Sequence, residues 1–123
     1  MKGVIKFNQM ALRTLVLVML VLGVMLWMGN ASFLAIHIGL GFIFTLLVLL
    51  QALLGAMSRA GWGLVAITVL WAVALPVIGL GQRTFMLGDA HWAVRVFHLL
   101  FGLATLAFTE RIGKRALSQP PAA

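Results

Sequence analysis

Two histidines stand inside long apolar runs of this 123-residue chain, where an ionisable side chain is costly. His37 lies in the run 33–56 and His98 in the run 90–108. Ionisable groups inside apolar segments of membrane-spanning length normally have a partner or a function. Two neutral imidazoles can supply both axial ligands of a heme iron, and the chain has no cysteine for thiolate ligation or covalent heme attachment. The pair therefore predicts a bis-histidine heme site.

A glycine follows each histidine by one helical turn. His37 is followed at i+4 by Gly41, and His98 is followed at i+4 by Gly102. Residues four apart share one face of a helix, so each histidine has beside it a position without a side chain, where a flat macrocycle can approach the backbone. The stretches His-Ile-Gly-Leu-Gly and His-Leu-Leu-Phe-Gly are 61 residues apart, from 37 to 98. This match suggests two helical hairpins related as a repeat.

An arginine accompanies the second histidine. Arg95 lies three residues before His98 and four after His91, so the three share one helix face. An uncompensated arginine inside a bilayer costs about 2.5–3.5 kcal/mol on insertion scales, and heme propionates would supply the missing anions. Gln82 and Arg83, in the preceding loop, can donate hydrogen bonds to the same carboxylates. We therefore expect a heme-binding set of His37, His98, Gly41, Gly102, Arg95, Arg83 and His91, with His37 and His98 as the iron ligands.

Each of these residues also has an ordinary interpretation. His91, beside Trp92 at the start of its run, fits a hydrogen-bonded residue at the membrane interface. Glycines are common packing positions in membrane helices, and Arg95 is close enough to the start of its helix to extend its head group to the surface. The conjunction of two matched His–Gly pairs with an arginine in line favours the heme site.

The elements that must position these residues are helices in a membrane. The chain is 63% hydrophobic and 9% charged, whereas soluble domains are about 25% charged. Short polar connections separate four apolar runs, each near the roughly 20 residues that cross a bilayer, which predicts an all-α, four-transmembrane-helix antiparallel bundle. We expect a single domain over residues 1–117, a disordered tail over 118–123, and spans at about 11–28, 33–56, 62–80 and 90–108.

The charges lie at the ends of these runs. The formal net charge is +7, but no basic face with interleaved aromatic residues is present, which argues against nucleic-acid binding. In a four-span bundle one end carries most of the cations. The positive-inside rule places that end, with both termini, in the cytoplasm. We therefore expect a multi-pass protein of the cell's inner (plasma) membrane. The cations of this end are Lys2, Lys6, Arg13, Arg59, Arg111, Lys114 and Arg115.

The N-terminal run has a second interpretation. A basic start, an apolar stretch and the sequence Gly-Asn-Ala-Ser at 29–32 resemble a signal peptide with its cleavage site. The run is long for that purpose, and cleavage would leave three spans with ends on opposite sides. We therefore expect a retained first helix.

The stretch from His37 through Gln51-Ala-Leu-Leu-Gly, with a basic residue soon after it, resembles the second helix of each half of the heme A synthases. A histidine near the outer end of the second helix and another about sixty residues later look like one half of that fold, over roughly residues 13–115. The resemblance implies a four-helix bundle that holds heme, with His37 and His98 as the matching residues.

Two departures separate this chain from the catalytic half of those enzymes. That half carries a glutamate three residues before its helix-two histidine, where this chain has Leu34, and the cysteine pair of the family is absent. The resemblance therefore implies the half that keeps a b-type heme without transforming it. Asp89 and Glu110, the only carboxylate side chains, fall at opposite ends of the expected bundle, which also argues against an enzyme.

Three functions remain open at this stage. The first is a small b-type cytochrome or heme-holding protein, which passes electrons to a redox partner or serves a larger membrane complex. The second is a cofactor-free structural subunit of such a complex, and the third is a heme-dependent oxidase or quinone-handling protein in which His91 or Gln51 contacts the substrate. All three functions place the protein in a lipid bilayer, and a homodimer is compatible with each of them.

Overall fold

Four long helices account for most of the chain. The computed structural model describes residues 1–119. A 3-10 turn at Ala31–Phe33 lies between the first two helices, and no strand occurs in residues 1–119. The helices are α1 (Lys2–Trp27), α2 (Leu34–Met57), α3 (Trp62–Gly81) and α4 (His91–Ser118). The predicted all-α, four-helix class is confirmed.

Contacts between helix ends define an antiparallel arrangement. Near the start of α1, Asn8 donates a hydrogen bond to Gln51, near the end of α2. Near the end of α4, Arg115 donates to the carbonyl oxygen of Ala60, in the α2–α3 connection. His37 and His98 lie side by side, each near the start of its helix, so α2 and α4 run in the same direction. We call the end that contains Asn8, Gln51 and Arg115 the basic end. The opposite end, which contains His37 and His98, is the histidine end.

The outward faces of the helices are apolar and exposed. The most apolar windows of the four helices have mean hydropathies of 2.3, 2.6, 2.4 and 1.5, and at most 22% of any window is buried in the bundle. Leu17, Leu46 and Leu70, on three different helices, are each more than 60% exposed. All four helices are long and apolar enough to cross a membrane. The chain therefore has the build of a multi-pass integral membrane protein.

Two clusters of buried apolar side chains form the core of the bundle. One core cluster, at the basic end, centres on Ile5, Ala52 and Ile112, which are essentially inaccessible to solvent. A second, in the middle of the bundle, contains Leu12 and Val48. Three members of the second cluster, Val16, Phe44 and Leu75, also line the cavity at the histidine end that is described below.

Polar contacts extend the helices past the predicted spans at the basic end. Arg13 pairs with Glu110 through two hydrogen bonds of 2.7 Å, and Gln9 donates to the same carboxylate at 3.4 Å. These polar groups satisfy one another between α1 and α4. The helices are longer than the expected spans at this end, since α1 begins at Lys2, before residue 11, and α4 continues to Ser118, past residue 108. Of the expected disordered tail, Ser118 ends α4, and residues 120–123 lie outside the described residues.

Candidate functional site

A cavity of about 340 Å³ opens at the histidine end. Side chains from all four helices and from the loop that follows α3 line it, and the lining is mostly apolar. Its volume falls in the range of roughly 300–1,000 Å³ that is typical of small-molecule and cofactor sites. An apolar cavity with a few polar groups inside is the arrangement expected of such a site.

The two histidines meet inside this cavity. Their ring centroids are 6.4 Å apart, and the ring planes make an angle of 56°. The Nδ1 atoms of His37 and His98 are both buried and have no hydrogen-bond partner in the described part of the chain. An unpaired buried polar atom is costly, and both of these histidines line the cavity.

The separation of the rings agrees with that of two axial ligands of one metal. A metal–imidazole bond is about 2 Å long and the ring centre lies about 1 Å beyond the nitrogen, so two axial imidazoles have centroids about 6 Å apart. The 56° angle between the ring planes would not prevent His37 and His98 from holding one metal ion between them. The residues present therefore fit a bis-imidazole metal centre.

The two glycines one turn from the histidines leave open space. Gly41 and Gly102 both line the cavity. A Cβ atom built on Gly102 would meet no atom within 4 Å, and one built on Gly41 would meet only the Cε of Met19, at 3.5 Å. The space beside each histidine is therefore available to a flat ligand.

Cationic and amide groups stand at the mouth of the cavity. Gln82, Arg83 and Arg95 all line it. The guanidinium carbon of Arg95 lies 5.9 Å from the centroid of the Trp27 ring, within cation–π distance. Within residues 1–119 neither arginine forms a salt bridge, because the one ion pair there joins Arg13 to Glu110. The mouth is suited to an anionic group.

His91 and Gln51 lie away from the cavity. His91, the first residue of α4, has its Nδ1 3.4 Å from the carbonyl oxygen of Phe85 and does not line the cavity. Gln51 is fully buried at the basic end and accepts a hydrogen bond from Asn8. The structure thus brings together six of the seven expected site residues, all except His91.

The lining of the cavity repeats between the two hairpins. In α2 and α4 the lining positions correspond at an offset of 61 residues, which relates His37 to His98 and Leu34 to Arg95. In α1 and α3 they correspond at an offset of 56, which relates Gly23 to Gly79. Every lining position of the second hairpin has a counterpart in the first. The cavity is therefore built from two equivalent halves.

Sequence reasoning missed the residues that α1 and α3 contribute. Gly23 and Gly79 each stand close to the histidine of their own hairpin, and Trp27 stands beside Arg95. The available signal was the second repeat, because shifting α1 by 56 residues aligns Gly23 with Gly79. That offset differs from 61, so a search with a single period does not find it.

Comparisons with protein-family models, with curated proteins and with solved structures found no match to this chain. Within residues 1–119 no group of three or more histidine, cysteine, aspartate or glutamate side chains could hold a metal ion by itself. A bis-histidine heme needs only two protein ligands, because the macrocycle supplies the other four. The cavity and the histidine pair are accordingly the features of the chain that indicate a function.

Proposed function

We propose that this chain is a small b-type heme-binding protein of the cell's inner membrane, which holds one heme between His37 and His98. The observation that carries the proposal is the pair of imidazoles 6.4 Å apart across an apolar cavity, each with an unpaired buried nitrogen. The heme would supply a one-electron redox centre, so the protein would transfer electrons or hold heme for a partner. The resemblance to the non-catalytic half of heme A synthases supports the same function.

The protein's own residues would divide the work of binding. His37 and His98 would supply the axial nitrogens, and Gly41 and Gly102 would leave room for the faces of the ring. The apolar lining would exclude water, which shields a redox centre from solvent and influences its potential. Leu34 stands where the resembling enzymes carry a glutamate, so the chain holds its cofactor without an acid at that position.

The mouth of the cavity would select the orientation of the propionates. Three pairs of equivalent positions differ there in the same sense: Leu26 and Gln82, Trp27 and Arg83, and Leu34 and Arg95. The first hairpin thus presents apolar side chains, and the second presents an amide and two cations. Charge-assisted hydrogen bonds from Arg83 and Arg95 would hold the carboxylates at the histidine end. With the basic end cytoplasmic, the heme would lie near the opposite membrane face.

Substitution of each histidine tests the ligand assignment. We expect His37→Ala and His98→Ala, purified in detergent, to lose the heme or to convert it from low spin to high spin, because one axial ligand is gone. His91→Ala is the matched control, since His91 lies outside the cavity, and it should keep the low-spin absorption bands of the reduced protein. An equal loss in His91→Ala would show that the axial pair is wrongly assigned.

A cofactor-free structural subunit is the second candidate function. One observation favours it: an apolar groove of about 500 Å³ on the outer face of α1 and α2, lined by residues such as Phe7, Met10 and Ile43. Such a groove fits a neighbouring helix of a larger complex. The same preparation separates the two functions, because a structural subunit remains colourless when heme is supplied.

A further inference from the structure

Each histidine of the cavity has a glycine of the neighbouring helix behind its ring. A Cβ atom built on Gly23 of α1 would lie 3.8 Å from Cε1 of His37. A Cβ atom built on Gly79 of α3 would lie 2.9 Å from Cε1 of His98, and within 3.7 Å of both ring nitrogens. The two glycines are equivalent in the repeat. The contact would be ordinary at Gly23, whereas a Cβ atom at Gly79 would require the His98 ring to move.

Within residues 1–119, no hydrogen bond to Nδ1 orients the ring of either histidine. Metal-binding histidines usually donate their second ring N–H to a carboxylate or a carbonyl, and that bond determines the rotation of the ring. The Nδ1 atoms of His37 and His98 are buried without such a partner within residues 1–119. The rotation of each imidazole therefore depends on what its ring packs against, and position 79 of α3 is one of the close neighbours of the His98 ring.

We propose that Gly79 is a positioning residue that determines the rotation of the His98 ring, whereas the equivalent Gly23 makes only an ordinary contact with His37 and does not fix its rotation. The expected effect of Gly79 on heme binding rests on the proposed heme function, whereas the close approach of Gly79 to the His98 ring does not. A methyl group at position 79 would displace the ring toward the cavity. A methyl group at position 23 would be accommodated, because 3.8 Å is an ordinary van der Waals separation.

Three alanine variants of the full-length protein test this assignment. Gly39→Ala is the matched control, because Gly39 is also inside a helix and a Cβ there would meet nothing within 4 Å. We expect Gly79→Ala to bind heme about tenfold more weakly, and to shift the g values of the ferric protein, which report the angle between the axial imidazole planes. Gly23→Ala should change the affinity by less than about threefold, on the same conversion. Heme affinity and g values in Gly79→Ala equal to those of Gly39→Ala would overturn the proposal.

A second measurement needs no heme and no variant. In the heme-free wild-type protein, labelled at glycine and histidine and held in detergent micelles, the Hα protons of Gly79 should show a nuclear Overhauser effect to Hε1 of His98. Absence of that effect overturns the proposal even if heme binds. Its presence in a protein that takes up no heme upholds the Gly79 contact and refutes the heme function, so the two failures are distinguishable.

Discussion

Filling the cavity without changing either histidine separates the binding of the ligand from the stability of the fold. Gly102 lines the cavity, and a Cβ atom there would meet nothing within 4 Å. The substitution Gly102→Leu places four carbon atoms in that space. We expect the variant to fold, because the added side chain enters a void rather than a packed core.

The expected magnitudes have opposite signs for the heme-free protein and for heme binding. Four additional buried carbons at about 0.8 kcal/mol each set an upper limit of about 3 kcal/mol of stabilisation. Packing against protein instead of lipid gives less than this limit, while replacing a helical glycine adds about 0.8 kcal/mol. The heme-free variant should therefore be about 1–3 kcal/mol more stable than wild type. Heme affinity should fall at least about tenfold, because the leucine would occupy the space proposed for the macrocycle.

Unfolding by sodium dodecyl sulfate measures the stability of the heme-free protein, and absorbance titration with hemin measures the heme affinity. Gly39→Leu is the control, since Gly39 faces open space outside the cavity and should gain only the helix propensity. Unchanged hemin affinity in Gly102→Leu would refute the cavity between the histidines as the heme site. A strongly destabilised variant would show that the space beside Gly102 is not a void.

Three further predictions concern the mouth, the packing and the orientation of the bundle. Arg95→Leu removes charge-assisted hydrogen bonds of about 1.5–3 kcal/mol, so hemin titration should show affinity roughly 10- to 100-fold lower; wild-type affinity would exclude a propionate contact. Gly55→Ala places a Cβ 2.5 Å from Cγ2 of the fully buried Ile112. Detergent unfolding should therefore show that the variant is less stable by up to about 2 kcal/mol, after the gain in helix propensity. A more stable variant would contradict the packing of Gly55 against Ile112. Because the chain has no cysteine, Met86→Cys should react with an impermeant thiol reagent in intact cells and Ser118→Cys only after lysis; the reverse pattern would invert the bundle.

The four helices were predictable from the sequence because apolar runs of spanning length have few alternatives. The extensions at the basic end were not. Asn8, Gln9 and Glu110 end the apolar runs in the sequence, and only the folded chain shows that their polar groups meet one another between helices. A hydropathy pattern reports how polar each residue is and not which residue satisfies it.

Part of the candidate site was also predictable from the sequence, and part was not. His37, Gly41, His98 and Gly102 could be paired from the sequence because residues four apart share a helix face. Gly79 could not be paired in this way, because its proposed role depends on the approach of a different helix to the His98 ring. In the sequence it is marked only by its correspondence to Gly23 at an offset of 56, which differs from the offset of 61 that relates the two histidines.

The most direct test of the heme proposal is the heme content of the wild-type protein, purified from membranes of cells supplied with heme. The pyridine hemochromogen assay should give one heme b per chain, and the native ferric protein should be entirely low spin, since His37 and His98 would both bind the iron. A colourless protein that also fails to bind added hemin would contradict the proposal. So would a high-spin heme, because it would show that at most one of the two histidines is a ligand.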